Sequence, residues 1–116
     1  MPREQHRQRR KIDARRLAID IARQAMLQLY RLSVERARRG DYETARRLIE
    51  HALEIHRRLR VRKPIPLRRA ICPNCHAPLV PGVTARVRLR SRGKHIRITT
   101  TCLLCGYMLR IEERKS

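Results

Sequence analysis

The chain has 116 residues and a formal net charge of +20, from 30 Lys and Arg against 10 Asp and Glu. Aromatic residues make up only 3% of it, with no Phe and no Trp, which excludes a large aromatic core and indicates one or two small modules. A charge of this size calls for a polyanionic partner. Arg accounts for 26 of the basic residues, and its forked guanidinium suits phosphate, so nucleic acid is the favoured class of partner.

Targeting signals are not recognisable in the sequence. It has no signal peptide, and no apolar run is long enough to cross a membrane. We therefore expect a cytoplasmic protein without membrane contact, in a compartment where thiols stay reduced.

The first predicted elements are a flexible basic arm over residues 1–11, which lack an apolar pattern, and a helix from about Asp13 to Arg39. Apolar residues recur in this helix at spacings of three and four, as in an amphipathic helix. The residues of this stripe are Ala14, Leu17, Ala18, Ile21, Ala25, Leu29 and Leu32.

A second helix is predicted from Asp41, a residue type that favours the N-cap, to about Arg60. Gly40 suits the end of the first helix, so residues 12–62 are predicted to form an antiparallel helical hairpin. Two helices alone leave apolar surface uncovered, and we interpret that surface as a docking face for another protein. The residues predicted to lie off the seam between the helices are Met26, Leu27, Tyr30, Ile49 and Leu53.

A stiff basic linker is predicted over residues 63–70, because Pro64 and Pro66 stop the helix and hold the chain extended. From Ile55 to Ile111 the sequence has no Asp or Glu but fourteen Lys or Arg. The linker and the segment after it are therefore the predicted polyanion-binding part. The basic residues that flank the two prolines are Arg62, Lys63, Arg68 and Arg69.

Four cysteines form two C-x-x-C pairs, Cys72 with Cys75 and Cys102 with Cys105, separated by 26 residues. Two such pairs are typical of a structural four-thiolate zinc site, so one Zn²⁺ is the predicted cofactor. Gly106 follows the second pair, where a turn needs positive φ, and His76 occupies the matching position after the first.

Between and after the cysteine pairs, apolar and polar residues alternate with period two, which predicts three short antiparallel strands. Residues 71–111 are thus predicted to be a three-stranded zinc ribbon, followed by a tail over 112–116, and the whole chain an α+β protein. The alternation puts five arginines on one predicted sheet face: Arg86, Arg88, Arg90, Arg97 and Arg110.

Catalysis by the chain itself is not predicted, because four thiolates fill the coordination of a zinc ion. One alternative is a rubredoxin-like iron protein, which the cysteine spacing permits. A second alternative is a zinc-ribbon ribosomal or transcription protein.

The ordered layout of helical hairpin, basic proline linker and zinc ribbon resembles the protein component 4 family, the zinc-ribbon subunits of archaeal ribonuclease P. The resemblance by residue lies in the ribbon, and the helices match by pattern. The matching runs are Cys72-Pro-Asn-Cys75-His76-Ala77-Pro78-Leu79-Val80-Pro81-Gly82, then Ala85-Arg86-Val87-Arg88-Leu89-Arg90, then Thr101-Cys102-Leu-Leu-Cys105-Gly106.

This resemblance implies a non-catalytic subunit that helps the catalytic RNA to remove the 5′ leader of precursor tRNA. It implies two kinds of partner: the specificity domain of the ribonuclease P RNA, with precursor tRNA, and the Sm-like barrel subunit, protein component 1. RNA contact is expected at Arg62, Lys63, Arg68, Arg69, Arg86, Arg88, Arg90, Arg97 and Arg110. Contact with the barrel subunit is expected at Leu17, Ile21, Leu29, Leu48 and Ile49.

Overall fold

Three helices are followed by a three-stranded antiparallel sheet in the computed structural model, which describes residues 2–115. The α+β prediction is confirmed. The helices are α1 (Pro2–Arg38), α2 (Tyr42–Leu59) and α3 (Ile65–Arg69). The strands are β1 (Ala85–Arg92), β2 (His95–Cys102) and β3 (Met108–Arg114), in the order β1-β2-β3. Across the described residues, no helix has the length and apolarity to cross a membrane.

Helix α1 begins at Pro2, so the prediction of a flexible arm over residues 1–11 differs from the structure, although Met1 lies outside the described residues. Pro is well tolerated in the first turn of a helix, where its missing N–H has no partner to lose. The Glu, Gln and Arg that follow it are good helix formers. This first part of α1 is helical by propensity, because its side chains from Gln5 to Lys11 are all exposed.

The turn between α1 and α2 is as predicted. Gly40 has φ +83°, a left-handed conformation that costs a glycine little. Asp41 is the N-cap of α2, and its carboxylate accepts a hydrogen bond of 3.2 Å from the backbone N–H of Thr44. Buried between the helices, the hydroxyl of Ser33 donates to the carbonyl of Ala45 over 2.9 Å.

The buried face of α1 differs from the predicted stripe. Met26 and Ile49 are fully buried between the two helices, so the prediction that they lie off the seam is wrong. Meanwhile Leu17 and Ile21 are 61% and 58% exposed. At about 100° per residue, Met26 lies about 180° from Leu17 and about 140° from Ile21 around the helix, so the two faces are nearly opposite, and the buried face has small residues such as Ala22 where the helices approach. The part of the predicted stripe that contains Leu17 and Ile21 is therefore uncovered, whereas Leu29 packs against the core.

The linker is not extended, because Ile65–Arg69 forms the short helix α3. Pro64 is its N-cap and Pro66 lies in its first turn, where proline does not interrupt helical hydrogen bonds. Leu67 of this helix is buried in the same cluster as Met26 and Ile71, so α3 joins the hairpin core to the start of the ribbon. The burial of Leu67 explains why this segment forms a helix and is not extended.

The sheet is longer than predicted. A two-residue turn at Gly93 and Lys94 joins β1 to β2, with Gly93 at φ +55°. Strand β3 continues to Arg114, so most of the predicted tail over 112–116 belongs to the sheet, and Ser116 lies outside the described residues. The alternation gives β1 an apolar side, yet Leu89 on that side is 68% exposed. Among the described residues, the hydrophobic cluster of the ribbon lies at its cysteine end.

Candidate metal centre and nucleic-acid interface

Two backbone turns of the same geometry present the four cysteines. In the first, the N–H of His76 donates to the carbonyl of Cys72 over 2.9 Å. In the second, the N–H of Gly106 donates to the carbonyl of Cys102 over 2.8 Å. His76 and Gly106 both have positive φ, +62° and +81°, so His76 takes the conformation that glycine takes in the matching turn.

Each turn directs backbone N–H groups at a sulfur atom. The N–H groups of residues 74 and 75 donate to the sulfur of Cys72, and those of residues 104 and 105 donate to the sulfur of Cys102. Hydrogen bonds of this kind stabilise a thiolate over a thiol. Both turns are therefore preorganised for sulfur ligands that carry negative charge.

The four sulfur atoms form one cluster. They all lie within 4.8 Å of one another, with 3.5 Å between Cys72 Sγ and Cys105 Sγ and 3.6 Å between Cys75 Sγ and Cys102 Sγ. Four sulfurs at ~2.3 Å from a tetrahedral ion are about 3.8 Å apart, so the cluster fits one metal ion without a change of fold. All four cysteines are free thiols, as a metal site requires. The structure thus brings together all four predicted ligands.

The thiols differ in their acidity. Burial raises the pKa of Cys72 to about 12 and also raises the pKa of Cys102. The side-chain amide of Asn74, with the N–H of Tyr107, holds the pKa of Cys105 down at about 6. A metal ion therefore has to displace protons from the two buried thiols when it binds.

The predicted arginine residues of the strands do lie on one face. In the antiparallel register Arg88 is opposite Thr99, which is opposite Arg110, and Arg90 is opposite Arg97. Directly opposed residues point to the same side of a sheet. We call this side the arginine face, and the register adds Arg92 and Arg114 to it. Its members are Arg86, Arg88, Arg90, Arg92, Arg97, Arg110 and Arg114.

Sequence reasoning missed Arg92 and Arg114 because it ended β1 and β3 too early. The signal was present, since the alternation Arg86, Arg88, Arg90 simply continues to Arg92. In β3 the period of two likewise runs through Glu112 to Arg114.

Glu112 also lies on the arginine face and pairs with Arg97. Its Oε1 accepts hydrogen bonds from Nε and Nη2 of Arg97, at 2.8 and 2.6 Å. This hydrogen bonding lowers the pKa of Glu112, so the carboxylate is ionised at neutral pH. Arg97 is therefore the predicted RNA ligand whose charge is already matched, whereas Arg88 and Arg90 have no ion pair among the described residues.

The basic residues of the linker form a second group, beside α1 rather than on the sheet. Arg62, Lys63 and Arg68 line a cavity of about 300 Å³ together with Arg23 of α1. Arg69 is exposed and lies outside this lining. The structure thus separates the nine predicted RNA-binding residues into a sheet group and a linker group.

The five predicted protein-contact residues do not share one surface. Leu17 and Ile21 are exposed one turn apart on α1, and Leu29 and Leu48 are half-buried. Ile49 has no exposed surface, so its prediction as a contact residue is wrong, because it fills the core between the helices.

Comparison with known proteins identifies the family. Residues 25–106 match the family model described as the RNase P Rpr2/Rpp21/SNM1 subunit domain. The chain belongs to this family of ribonuclease P subunits. Among curated relatives, ribonuclease P protein component 4 of Hyperthermus butylicus is 54% identical over 100 residues, which cover 86% of this chain and 87% of the relative. The Aeropyrum pernix protein of the same name is 42% identical over 91% of this chain and 65% of its own length.

Similarity to solved structures supports the family assignment. A chain of a cryo-EM structure of archaeal ribonuclease P with mature tRNA is 34% identical, with a TM-score of 0.73 over 81% of this chain and 78% of that chain. A structure of Pfu Rpp21 is 38% identical, with a TM-score of 0.61 over 78% of this chain and 97% of that chain. The Rpr2/Rpp21/SNM1 assignment confirms the predicted ribonuclease P subunit over the ribosomal and transcription alternatives.

Proposed function

We propose that the chain is a non-catalytic, RNA-binding subunit of ribonuclease P whose ribbon is held together by one structural Zn²⁺. The observation that carries the proposal is the arginine face, with seven arginines and one glutamate on three paired strands. Like charges that share one face of a sheet repel each other, and one glutamate neutralises only one of these seven arginines. Such a face is favourable when a polyanion neutralises it.

Two RNA molecules, the ribonuclease P RNA and precursor tRNA, are candidate partners for this face. The archaeal ribonuclease P structure that contains a similar chain also contains mature tRNA. We infer that this chain binds the specificity domain of the ribonuclease P RNA and assists recognition of precursor tRNA. Phosphate contacts from arginine dominate the affinity of such binding and make it depend on salt.

A structural role for the metal follows from its ligands. Four thiolates complete a tetrahedral zinc site and leave no position for a substrate or water, so the metal holds the fold and the RNA supplies the chemistry. The ligand set also accepts iron, and the absorption spectrum of the purified protein separates the two metals. A colourless protein with one equivalent of zinc supports the proposal, and a red protein contradicts it.

The exposed apolar stripe of α1 is the proposed docking surface for the Sm-like barrel subunit. Leu17 and Ile21 lie one turn apart and more than half exposed, and Leu32 continues their line at 40% exposure. An uncovered apolar stripe on a helix is a protein contact surface in many assemblies. Ile49 is excluded from this surface because it is buried.

The experiment is cleavage of precursor tRNA by ribonuclease P RNA at limiting Mg²⁺, in the presence of the Sm-like subunit. Adding the chain is expected to raise the rate or to lower the Mg²⁺ requirement. A matched pair of triple variants assigns the effect. Replacing Arg86, Arg88 and Arg90 by Ala should remove most of it, whereas the same change at Arg31, Arg38 and Arg47 on the helices should not. A folded, metal-loaded protein without effect would contradict the proposal.

A further inference from the structure

A basic groove made of two neighbouring cavities lies at the end of the hairpin opposite Gly40. Its first part is a cavity of about 380 Å³ between α1 and the residues that follow α2. Its second part is the cavity of about 300 Å³ beside the linker. Arg23 and Arg62 line both cavities, so the two are neighbours, and we call them together the basic groove. No acidic residue is among the described residues that line it.

The first cavity combines an apolar wall with a cationic rim. Ile19, Leu59 and Val61 supply apolar surface, and Leu59 is 59% exposed there. Arg15 and Arg60 add two further guanidinium groups to those of the shared arginines. A volume of about 380 Å³ is within the range of pockets that hold small ligands. Apolar surface and guanidinium planes together suit an unstacked nucleobase with its phosphates.

The backbone at Arg60 is strained. Arg60 has φ +52° and ψ +35° at the end of α2, a left-handed conformation that glycine adopts freely and other residues adopt at a cost. Next to it, the Nδ1–H of His56 donates to the carbonyl of Val61 over 2.6 Å and fixes this corner of the chain. A left-handed residue commonly ends a helix, and here it lies in the lining of the first cavity.

We propose that this groove binds one unpaired RNA nucleotide, with its base against Ile19, Leu59 and Val61 and its flanking phosphates on Arg23 and Arg62. The inference rests on the proposed function, since it assumes that the chain binds RNA. It adds a site on the helices that is separate from the arginine face. It also gives the subunit a preference for unpaired over paired RNA, because a base inside a duplex cannot enter the cavity.

The test measures the affinity of the full metal-loaded chain for a fluorescent single-stranded RNA ten-mer and for a duplex of the same length. The first variant is Arg60→Gly, which removes a guanidinium and relieves the strain. We expect its melting temperature to rise, and its affinity for the single strand to fall about five- to tenfold, the size of one lost hydrogen bond at an exposed position. Affinity for the duplex should change less than about twofold.

Two further variants complete the design. Leu59→Gln keeps the charge and removes apolar surface from an exposed position, so it should reduce the preference for the single strand. Arg47→Gln, on α2 and outside both cavities, is the charge-matched control and should affect both RNAs equally.

The outcomes separate the two proposals. Wild-type binding with no selective loss in Arg60→Gly and Leu59→Gln overturns the nucleotide site and leaves the proposed function standing. Equal losses for single strand and duplex in these variants mean phosphate binding without base recognition, which also overturns it. Failure of the wild-type chain to bind either RNA overturns the proposed function and this inference together.

Discussion

Met26 and Ile49 are fully buried between α1 and α2, whereas the hydrophobic cluster of the ribbon is built around Cys72 and Cys102. The hairpin thus has an apolar core of its own, whereas the smaller cluster of the ribbon combines cysteines with apolar residues such as Leu79 and Ala85. The helical part and the ribbon also differ in their content of acidic residues. Residues 1–54 contain eight of the ten acidic residues, and residues 55–111 contain none. We therefore expect the helical half to fold by burial of apolar side chains, and the ribbon to depend on the proposed metal ion and to be stabilised by a polyanion.

Removal of the metal is expected to have the largest effect on this comparison. Structural zinc contributes roughly 10–16 kcal/mol to the folding of small modules, which exceeds what the small ribbon cluster supplies. Chelation, or the double change Cys72→Ser with Cys75→Ser, should unfold residues 71–114 and leave the helices. Circular dichroism should retain the helical signal while limited proteolysis cuts within the strands. Unchanged protease resistance of the strands would contradict a structural metal.

The second expected effect concerns RNA binding by the arginine face. Replacing Arg86, Arg88 and Arg90 by Ala should weaken RNA affinity, because three phosphate contacts are lost. Each contact contributes about 0.7–0.9 to the slope of log K against log salt, so the slope should flatten by roughly 2–3 units. A salt titration of binding measures it. An equal change for the helical control, Arg31, Arg38 and Arg47, would mean that only net charge matters.

A smaller effect is expected from Glu112, the acidic residue of the arginine face. Glu112→Gln frees Arg97 to contact phosphate, so RNA should bind more tightly and the salt slope should steepen by about 0.7–0.9. The lowered pKa of Glu112 means that its pairing is lost only as pH falls through that depressed value, so it is intact at neutral pH.

Glu113→Gln provides the matched control for this experiment. Glu113 is opposite Ile96, which places it on the other side of the sheet, and the change in charge is the same. A Glu113→Gln variant that binds RNA as tightly as Glu112→Gln would show that position on the arginine face is not what matters.

The features that could be predicted from the sequence are those with a strong local pattern. Cysteine spacing alone predicted the metal cluster, and alternation alone put Arg86, Arg88 and Arg90 on one face, because both depend on local geometry. Packing was harder. The apolar pattern of α1 emphasises the face with Leu17 and Ile21, and nothing in the local pattern shows that α2 packs on the nearly opposite face, with Ala22 and Met26.

The predictions of the linker conformation and of the strand ends were wrong for a related reason. In the local sequence, two prolines indicate the end of a helix. Leu67 is nevertheless buried against the hairpin, and the residues around Pro66 form a short helix. The end of β3 depends on pairing with β2, where Glu112 meets Arg97 from a distant part of the chain. Contacts between residues far apart in sequence determine these features, and local sequence patterns do not reveal such contacts.

The smallest expected effect compares the two metal-binding turns with each other. His76 and Gly106 hold equivalent positions with positive φ, a conformation that costs a side chain of L configuration about 1–2 kcal/mol. His76→Gly should therefore leave metal binding intact and raise the stability of the metal-loaded ribbon by about 1 kcal/mol. Gly106→Ala should lower it by a similar amount through strain alone, because a Cβ there meets nothing within 4 Å. Thermal denaturation of the metal-loaded variants measures both.

The imidazole of His76 gives this comparison a competing contribution, since its Nδ1 lies 3.7 Å from a carboxylate oxygen of Glu50 on α2. Glu50→Gln removes the charge of that contact and keeps the backbone of the turn. If His76→Gly lowers stability by more than Glu50→Gln does, the ring itself joins the ribbon to the hairpin, and the histidine is there for the interface. If His76→Gly raises stability, the two turns are the same structure, and the one with histidine is the strained copy.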